Sequence, residues 1–126
     1  MRITLLTVTV ATLGCGQPSA SSTVSFHPVD PAGRIDSSIT ISGSLRLPPV
    51  AARRGRPHPA VIVVHGLRGD RNQLAYLVDS LAVHGLAVLN IYIRGHGRST
   101  GEFPFNSPEW YGIAADDVAG AIGWLK

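Results

Sequence analysis

The sequence has 126 residues, 44% hydrophobic and 15% charged, a balance that fits one folded domain and excludes a disordered chain. Its net charge is +3 and its isoelectric point is near 9.6. Much of that excess sits in Arg53, Arg54 and Arg56, inside "PPVAARRGRPHP". No aromatic residues interleave with these arginines and no nucleic-acid-binding module accompanies them, so they read as a solvated, proline-bounded loop and no nucleic-acid partner is expected. One cysteine, Cys15, excludes an internal disulfide framework.

The chain opens on "MRITLLTVTVATLGCGQPSASS": one early positive charge at Arg2, an apolar run from Ile3 to Leu13, then small and polar residues. That order is the order of a secretory signal, and the run is shorter than the roughly 20 apolar residues a membrane span needs. Thr12-Leu13-Gly14-Cys15 resembles the lipobox of bacterial lipoproteins, although Leu13 stands two residues before the cysteine rather than three. The resemblance implies cleavage before Cys15, lipid attachment to its sulfur and, through that lipid, a membrane as partner. Ordinary cleavage near Ser19-Ala20, or a merely buried cysteine, are the alternatives. Residues 1–20 are therefore read as the signal segment of a protein exported to the bacterial periplasm or cell envelope.

Residues 21–36 are polar and proline-containing and read as a tether with one short edge strand, Val24–Phe26. The domain proper is expected over residues 37–126. "SITISGSLRLP" alternates, with Ile39, Ile41, Leu45 and Leu47 apolar, as in a half-buried antiparallel strand or hairpin with a bend at Gly43. "AVIVV", Ala60 to Val64, is continuously apolar and β-branched, the pattern of a central strand covered on both faces.

Asp70 then sets a helix cap, with Gln73 in capping-box spacing. Leu74, Leu77, Val78, Leu81 and Ala82 form an apolar stripe, and Gly85 stands at the C-terminal cap. "LAVLNIYI", Leu86 to Ile93, is a second buried strand. A last helix is expected from Ser107-Pro108, serine as cap and proline in the first turn, with Ile113, Val118, Ala121, Ile122 and Leu125 facing the core. Strand, helix, strand, helix with short connections predicts the opening of a doubly wound, mostly parallel α/β sheet preceded by antiparallel strands. No strand follows the last helix before Lys126, so the sheet is read as incomplete.

"GRSTG", Gly97 to Gly101, fits the G-x-S-x-G pattern of a nucleophile elbow. An elbow needs a helix immediately after the serine, whereas Glu102-Phe103-Pro104-Phe105-Asn106 cannot begin one there. No histidine follows Ser99, and His96 lies in the same loop, poorly placed for a proton relay. Ser99 is therefore read as a decoy. Gly95-His96-Gly97 starts a dinucleotide fingerprint that fails at Thr100, and no Walker-type sequence is present. His27, His58, His65, His84 and His96 show no ligand spacing, so neither metal nor cofactor is expected.

Two motifs remain: H-G-x-x-G at His65–Gly69 and R-G-H-G-x-S at Arg94–Ser99. With their flanks, "PAVIVVHGLRGDRNQLAYLVDSLAVHGLAVLNIYIRGHGRSTGEF" and "DDVAGAIGWLK", they resemble the N-terminal half of α/β-hydrolases, notably prolyl-oligopeptidase-like and serine-aminopeptidase-like esterases and peptidases. The similarity spans about Ile39 to Lys126. It implies that the Leu67 backbone N–H, supported by His65 and Gly66, forms part of an oxyanion hole. It also implies that Arg94, Gly95, Gly97 and Ser99 make a structural turn rather than a catalytic one.

The chain departs from the family at Tyr92, where an acidic residue is usual two positions before the arginine. Asp116 and Asp117 occupy the family's acidic position on the following helix, one solvated and the other a buried anchor for the arginine loop. The resemblance implies a serine hydrolase of the carboxylesterase or peptidase type, acting on small ester or peptide substrates. Its triad would follow Lys126, so this chain is expected to be inactive alone. The other readings are a non-catalytic exported remnant that binds a partner, and a hydrolase of unusual layout in which Ser99 does act.

Overall fold

Every residue of the strand Ala87–Ile91 is buried, and the sheet is organised around it. The computed structural model describes residues 21–49 and 57–126. The signal segment with Cys15, and Arg53, Arg54 and Arg56, lie outside the described residues. Four strands, β1 (Ser21–Phe26), β2 (Ile41–Arg46), β3 (Ala60–Val64) and β4 (Ala87–Ile91), form one mixed sheet in the order β1-β2-β4-β3. β2 pairs antiparallel with both β1 and β4, and β3 pairs parallel with β4. Helix α1 (Ala75–Val83) connects the parallel pair, and helix α2 (Trp110–Leu125) follows β4.

Side chains alternate across an extended backbone, so β4 serves two cores at once. Leu89 and Ile91 face α2 and pack with Phe26, Ile41 and Ala121. Val88 faces α1 and packs with Val63, Val78 and Ala82. Ile41, Val88, Leu89 and Ile91 are fully buried, each contributing about 1.5–3 kcal/mol through removal from water.

Local signals explain most boundaries. The Asp70 carboxylate accepts from the Asn72 N–H, and the chain enters α1 through one 3-10 turn, Arg71–Leu74. At the far end Gly85 takes φ 91°, its N–H donates to Ala82 O, and the Leu86 N–H donates to Leu81 O. Those paired bonds are a Schellman cap, whose left-handed residue disfavours a Cβ. The Ser107 hydroxyl accepts from the Glu109 N–H as expected of a cap, although regular helix begins at Trp110.

Several expectations need correction. β1 runs the full length from Ser21 rather than from Val24, pairing with β2 throughout. The rest of the expected tether is folded onto α2, with the Val29 N–H donating to Asp116 O and Val29 bridging Ile35. Its polar sequence reflects an edge strand with one wet face. Gly43 lies within a straight β2, paired with both Val24 and Ile91, where a Cβ would stand 3.1 Å from Asn90 O.

β3 is the edge of the described sheet, with Val61, Ile62 and Val64 only half-buried; β4 is the central strand. Leu77 (36%) and Ile122 (46%) are exposed rather than core-facing. α2 instead buries Asp117, Gly120 and Ala121, because Gly120 lies directly against the backbone of His27 and Pro28.

Candidate functional site

Chemistry-bearing residues gather where β3 and β4 end. Past β3, the Gly69 N–H donates to Gly66 O at 2.8 Å, closing a four-residue turn with Arg68 at φ 58°. Leu67 is not among the positive-φ residues, so the turn is type II, with a non-glycine residue in its left-handed position. That placement costs arginine about 1–2 kcal/mol. The Leu67 side chain is 49% exposed, and its N–H has no partner among the described residues. The Arg68 guanidinium lies 5.0 Å from the Phe105 ring centroid.

Beneath the turn, His65 (5% exposed) and His96 (8%) bring their rings to 4.8 Å, with Tyr92 and Phe103 beside them. His65 Nδ1 bonds Gly66 O and His96 Nδ1 bonds Arg94 O. Against a carbonyl each Nδ1 must carry a proton, and in the neutral tautomer that bond selects, each Nε2 is a lone-pair acceptor. Both are buried and without a partner among the described residues. Burial holds the His65 pKa below its ordinary value, opposed in part by the bond to Gly66 and reinforced by His96.

The Tyr92 hydroxyl donates to the Asp70 carboxylate at 3.0 Å, and the Arg71 guanidinium lies 4.8 Å from the Tyr92 ring. Desolvation, then the bond to Asp70, pushes the Tyr92 pKa up. The Asn72 N–H, then the tyrosine hydroxyl, holds the Asp70 carboxyl below its usual range.

The Arg94–Thr100 loop joins the ends of β2 and β4. The Ser99 hydroxyl donates to Tyr92 O at 2.7 Å and accepts from the Ser42 N–H at 2.8 Å. The Thr100 N–H donates to Thr40 O, and the Thr40 N–H to the Thr100 hydroxyl. Gly95 and Gly97 both take positive φ, and a Cβ on Gly97 would meet the Tyr92 ring at 2.6 Å.

Arg94 is held by Asp117, which is fully buried and accepts from the Arg94 N–H (2.8 Å), Nε (2.9 Å) and Nη2 (2.6 Å). Burial pushes the Asp117 pKa up, and those three donations offset part of the rise. Asp117 thus supplies the acid that Tyr92 does not. Among the described residues, no three His, Cys, Asp or Glu side chains gather as a metal site, and no helix is long and apolar enough to cross a membrane.

No protein-family model matches the sequence, and no curated protein matches it. Solved structures do. A hypothetical protein from Pseudomonas aeruginosa superposes with a TM-score of 0.62 at 23% identity, over 99% of this chain and 36% of its own length. A lidless α/β serine hydrolase from Xanthomonas campestris gives 0.56 at 19% identity, over 89% of this chain and 47% of its own. A Pyrococcus furiosus esterase gives 0.57 at 18%, over 91% and 40%. The fold is that of the α/β-hydrolases. The chain spans about a third to a half of the length of these structures.

On this fold the motif residues fall at one end of the sheet: Leu67 above His65 and Gly66, with the Arg94–Ser99 loop beside them. Sequence reasoning placed those segments separately. It missed the contact between His65 and His96, the bond from Tyr92 to Asp70, and Asn90, whose one signal was an amide inside the apolar run "LAVLNIYI".

Proposed function

We propose that this chain carries the oxyanion-binding part of a serine hydrolase, carboxylesterase or peptidase in type, acting on ester or amide bonds. The observation that carries the reading is the Leu67 N–H just past β3, without a partner among the described residues, in a turn closed by Gly66 and Gly69 with Arg68 at φ 58°. A backbone donor fixed beforehand stabilises the oxyanion of a tetrahedral intermediate without reorganising, and removing one such donor lowers kcat about 100–1,000-fold. Attack on the carbonyl comes from a serine activated by histidine, both outside residues 1–126. Ser99 acts structurally, because its hydroxyl is committed to Tyr92 O and the Ser42 N–H. Export through residues 1–20, with lipid on Cys15, belongs to the same reading; an intact mass that retained Met1 would exclude both.

The test is fluorophosphonate labelling of the protein translated from its complete reading frame, with Leu67→Pro as the variant. Proline fits the second position of a type II turn and removes the N–H, and the leucine side chain it replaces is half exposed. The expected result is a label on a serine after Lys126, kept in Ser99→Ala, with kcat lowered about 100-fold or more in Leu67→Pro. A label on Ser99, or an unaltered kcat in Leu67→Pro, overturns the reading.

The second reading is a non-catalytic module that binds a partner, favoured by β3 at the edge of the described sheet and by the exposed Ile122. A reading frame ending at Lys126, with a soluble, unlabelled product in a defined complex, would establish it instead.

A further inference from the structure

Three buried polar atoms without partners among the described residues lie around one recess, away from the Leu67 turn: Arg46 Nε, Arg71 Nη1 and Asn90 Oδ1. The recess, about 250 Å³, lies between the sheet face and the start of α1. Its floor follows from strand register. Thr23 stands opposite Ser44, and Ser44 opposite Asn90, so two hydroxyls and an amide form one row across three strands. Thr23 is exposed and Ser44 half-buried, so the row opens to solvent at β1, while its buried end at Asn90 is costly to desolvate unless something bonds to it.

The orphans have defined roles. Asn90 Nδ2 donates to Arg71 O at 3.1 Å, which leaves Oδ1 as a bare acceptor in a residue only 5% exposed. The two guanidinium nitrogens are donors. The site also carries charge: Arg46 Nη2 pairs with the Asp79 carboxylate at 3.0 Å, while the Arg71 guanidinium lies over the Tyr92 ring. Asp79 pairs with Arg46, and Asp70, held by the Tyr92 hydroxyl, feels the charge of Arg71, so the two guanidinium groups face two carboxylates. Water can fill the recess, but two guanidinium donors beside one amide acceptor are the complement of an oxyanion that carries a hydroxyl.

We propose that the recess binds a small oxyanion bearing a hydroxyl, of the hydrogen phosphate or hydroxycarboxylate class. Its oxygens accept from Arg46 Nε and Arg71 Nη1, and its hydroxyl donates to Asn90 Oδ1. Guanidinium groups suit such ligands because their donors are fixed in a plane. The site stands independently of the hydrolase reading, sharing only Arg71 with the residues beneath the Leu67 turn.

The test is calorimetric titration of the purified protein at low ionic strength with sodium phosphate and with sodium lactate, chloride serving as control. Saturable one-site binding of either is expected, and the tighter probe tells the tetrahedral class from the carboxylate class. Arg71→Gln should weaken it about tenfold or more through loss of a charge-assisted bond. Asp79, exposed on α1, gives the second variant: Asp79→Asn removes the opposing charge without touching the core and should tighten binding severalfold. No saturable heat from either probe overturns the proposal, as does binding that Asp79→Asn leaves unchanged or weaker.

Discussion

Alanine in place of glycine should have opposite effects at different points along α2. A Cβ built on Gly120 would lie 2.2 Å from His27 O, 3.0 Å from His27 C and 3.1 Å from Pro28 Cα. Carbon and oxygen in contact prefer about 3.3 Å or more, so the helix and the 27–28 segment must separate by about 1 Å. The obstacle is backbone, which no rotamer change relieves. Separation also strains the bond from the Val29 N–H to Asp116 O and the three donations from Arg94 to Asp117.

Overpacking of this kind costs about 1–3 kcal/mol, against which alanine recovers up to about 1 kcal/mol of helix propensity. With that propensity recovered, the net expectation for Gly120→Ala is a loss of up to about 2 kcal/mol. Gly112 and Gly123 in the same helix have nothing within 4 Å of a built Cβ, so alanine there should gain about 0.5–1 kcal/mol. Urea denaturation of the three variants, read as midpoints at constant m-value, makes the comparison. A Gly120→Ala midpoint equal to that of Gly112→Ala would refute the close approach of α2 to His27.

Three further outcomes are expected. Ser99→Ala strands the buried Ser42 N–H and should lower stability by about 1–3 kcal/mol, measured by the same denaturation. Asp117→Asn breaks a buried pair and should cost about 3–5 kcal/mol; a double-mutant cycle with Arg94→Gln must then give a coupling well above zero. His65, whose pKa burial lowers, binds fewer protons folded than unfolded. Its contribution to stability is full above its unfolded pKa of about 6.5 and is lost as pH falls towards its folded value. Replacing it with glutamine should flatten that acid-side slope, and coincident slopes for the two proteins would dismiss the assignment.

The sequence was most legible where one physical requirement dominated. Apolar runs announced β3 and β4, and Gly85 announced the end of α1, because burial of β4 on both faces and a left-handed cap each demand particular residue types; the same pattern overstated the burial of β3. β1 was shortened in the reading because Ser21, Ser22, Thr23 and Ser25 are what an edge strand with a wet face accepts. On α2, Val118, Ala121 and Leu125 do face the core, but hydrophobicity also assigns it to Ile122, whereas close approach assigns that place to Gly120.

In the site, the H-G-x-x-G and R-G-H-G-x-S segments stood out as motifs. Their convergence did not, since no local pattern encodes the 4.8 Å between His65 and His96. Asp117 as partner of Arg94 was legible only as one of two adjacent carboxylates.

The strand order has a consequence for how the molecule comes into being. β4 is the last strand made of the four, yet it lies between β2 and β3. Until Ala87–Ile91 is in place, the paired β1 and β2 and the strand β3 have no common neighbour, and neither apolar core can close. A chain in which β4 has not docked therefore carries half-sheets with open edges, the condition in which strands pair with the wrong neighbour. When β4 arrives, one five-residue segment zips both halves, and the Ser99 and Thr100 bonds to Ser42 and Thr40 then lock its end to the older strand. Closure of both cores thus waits on the central strand that comes last in the chain.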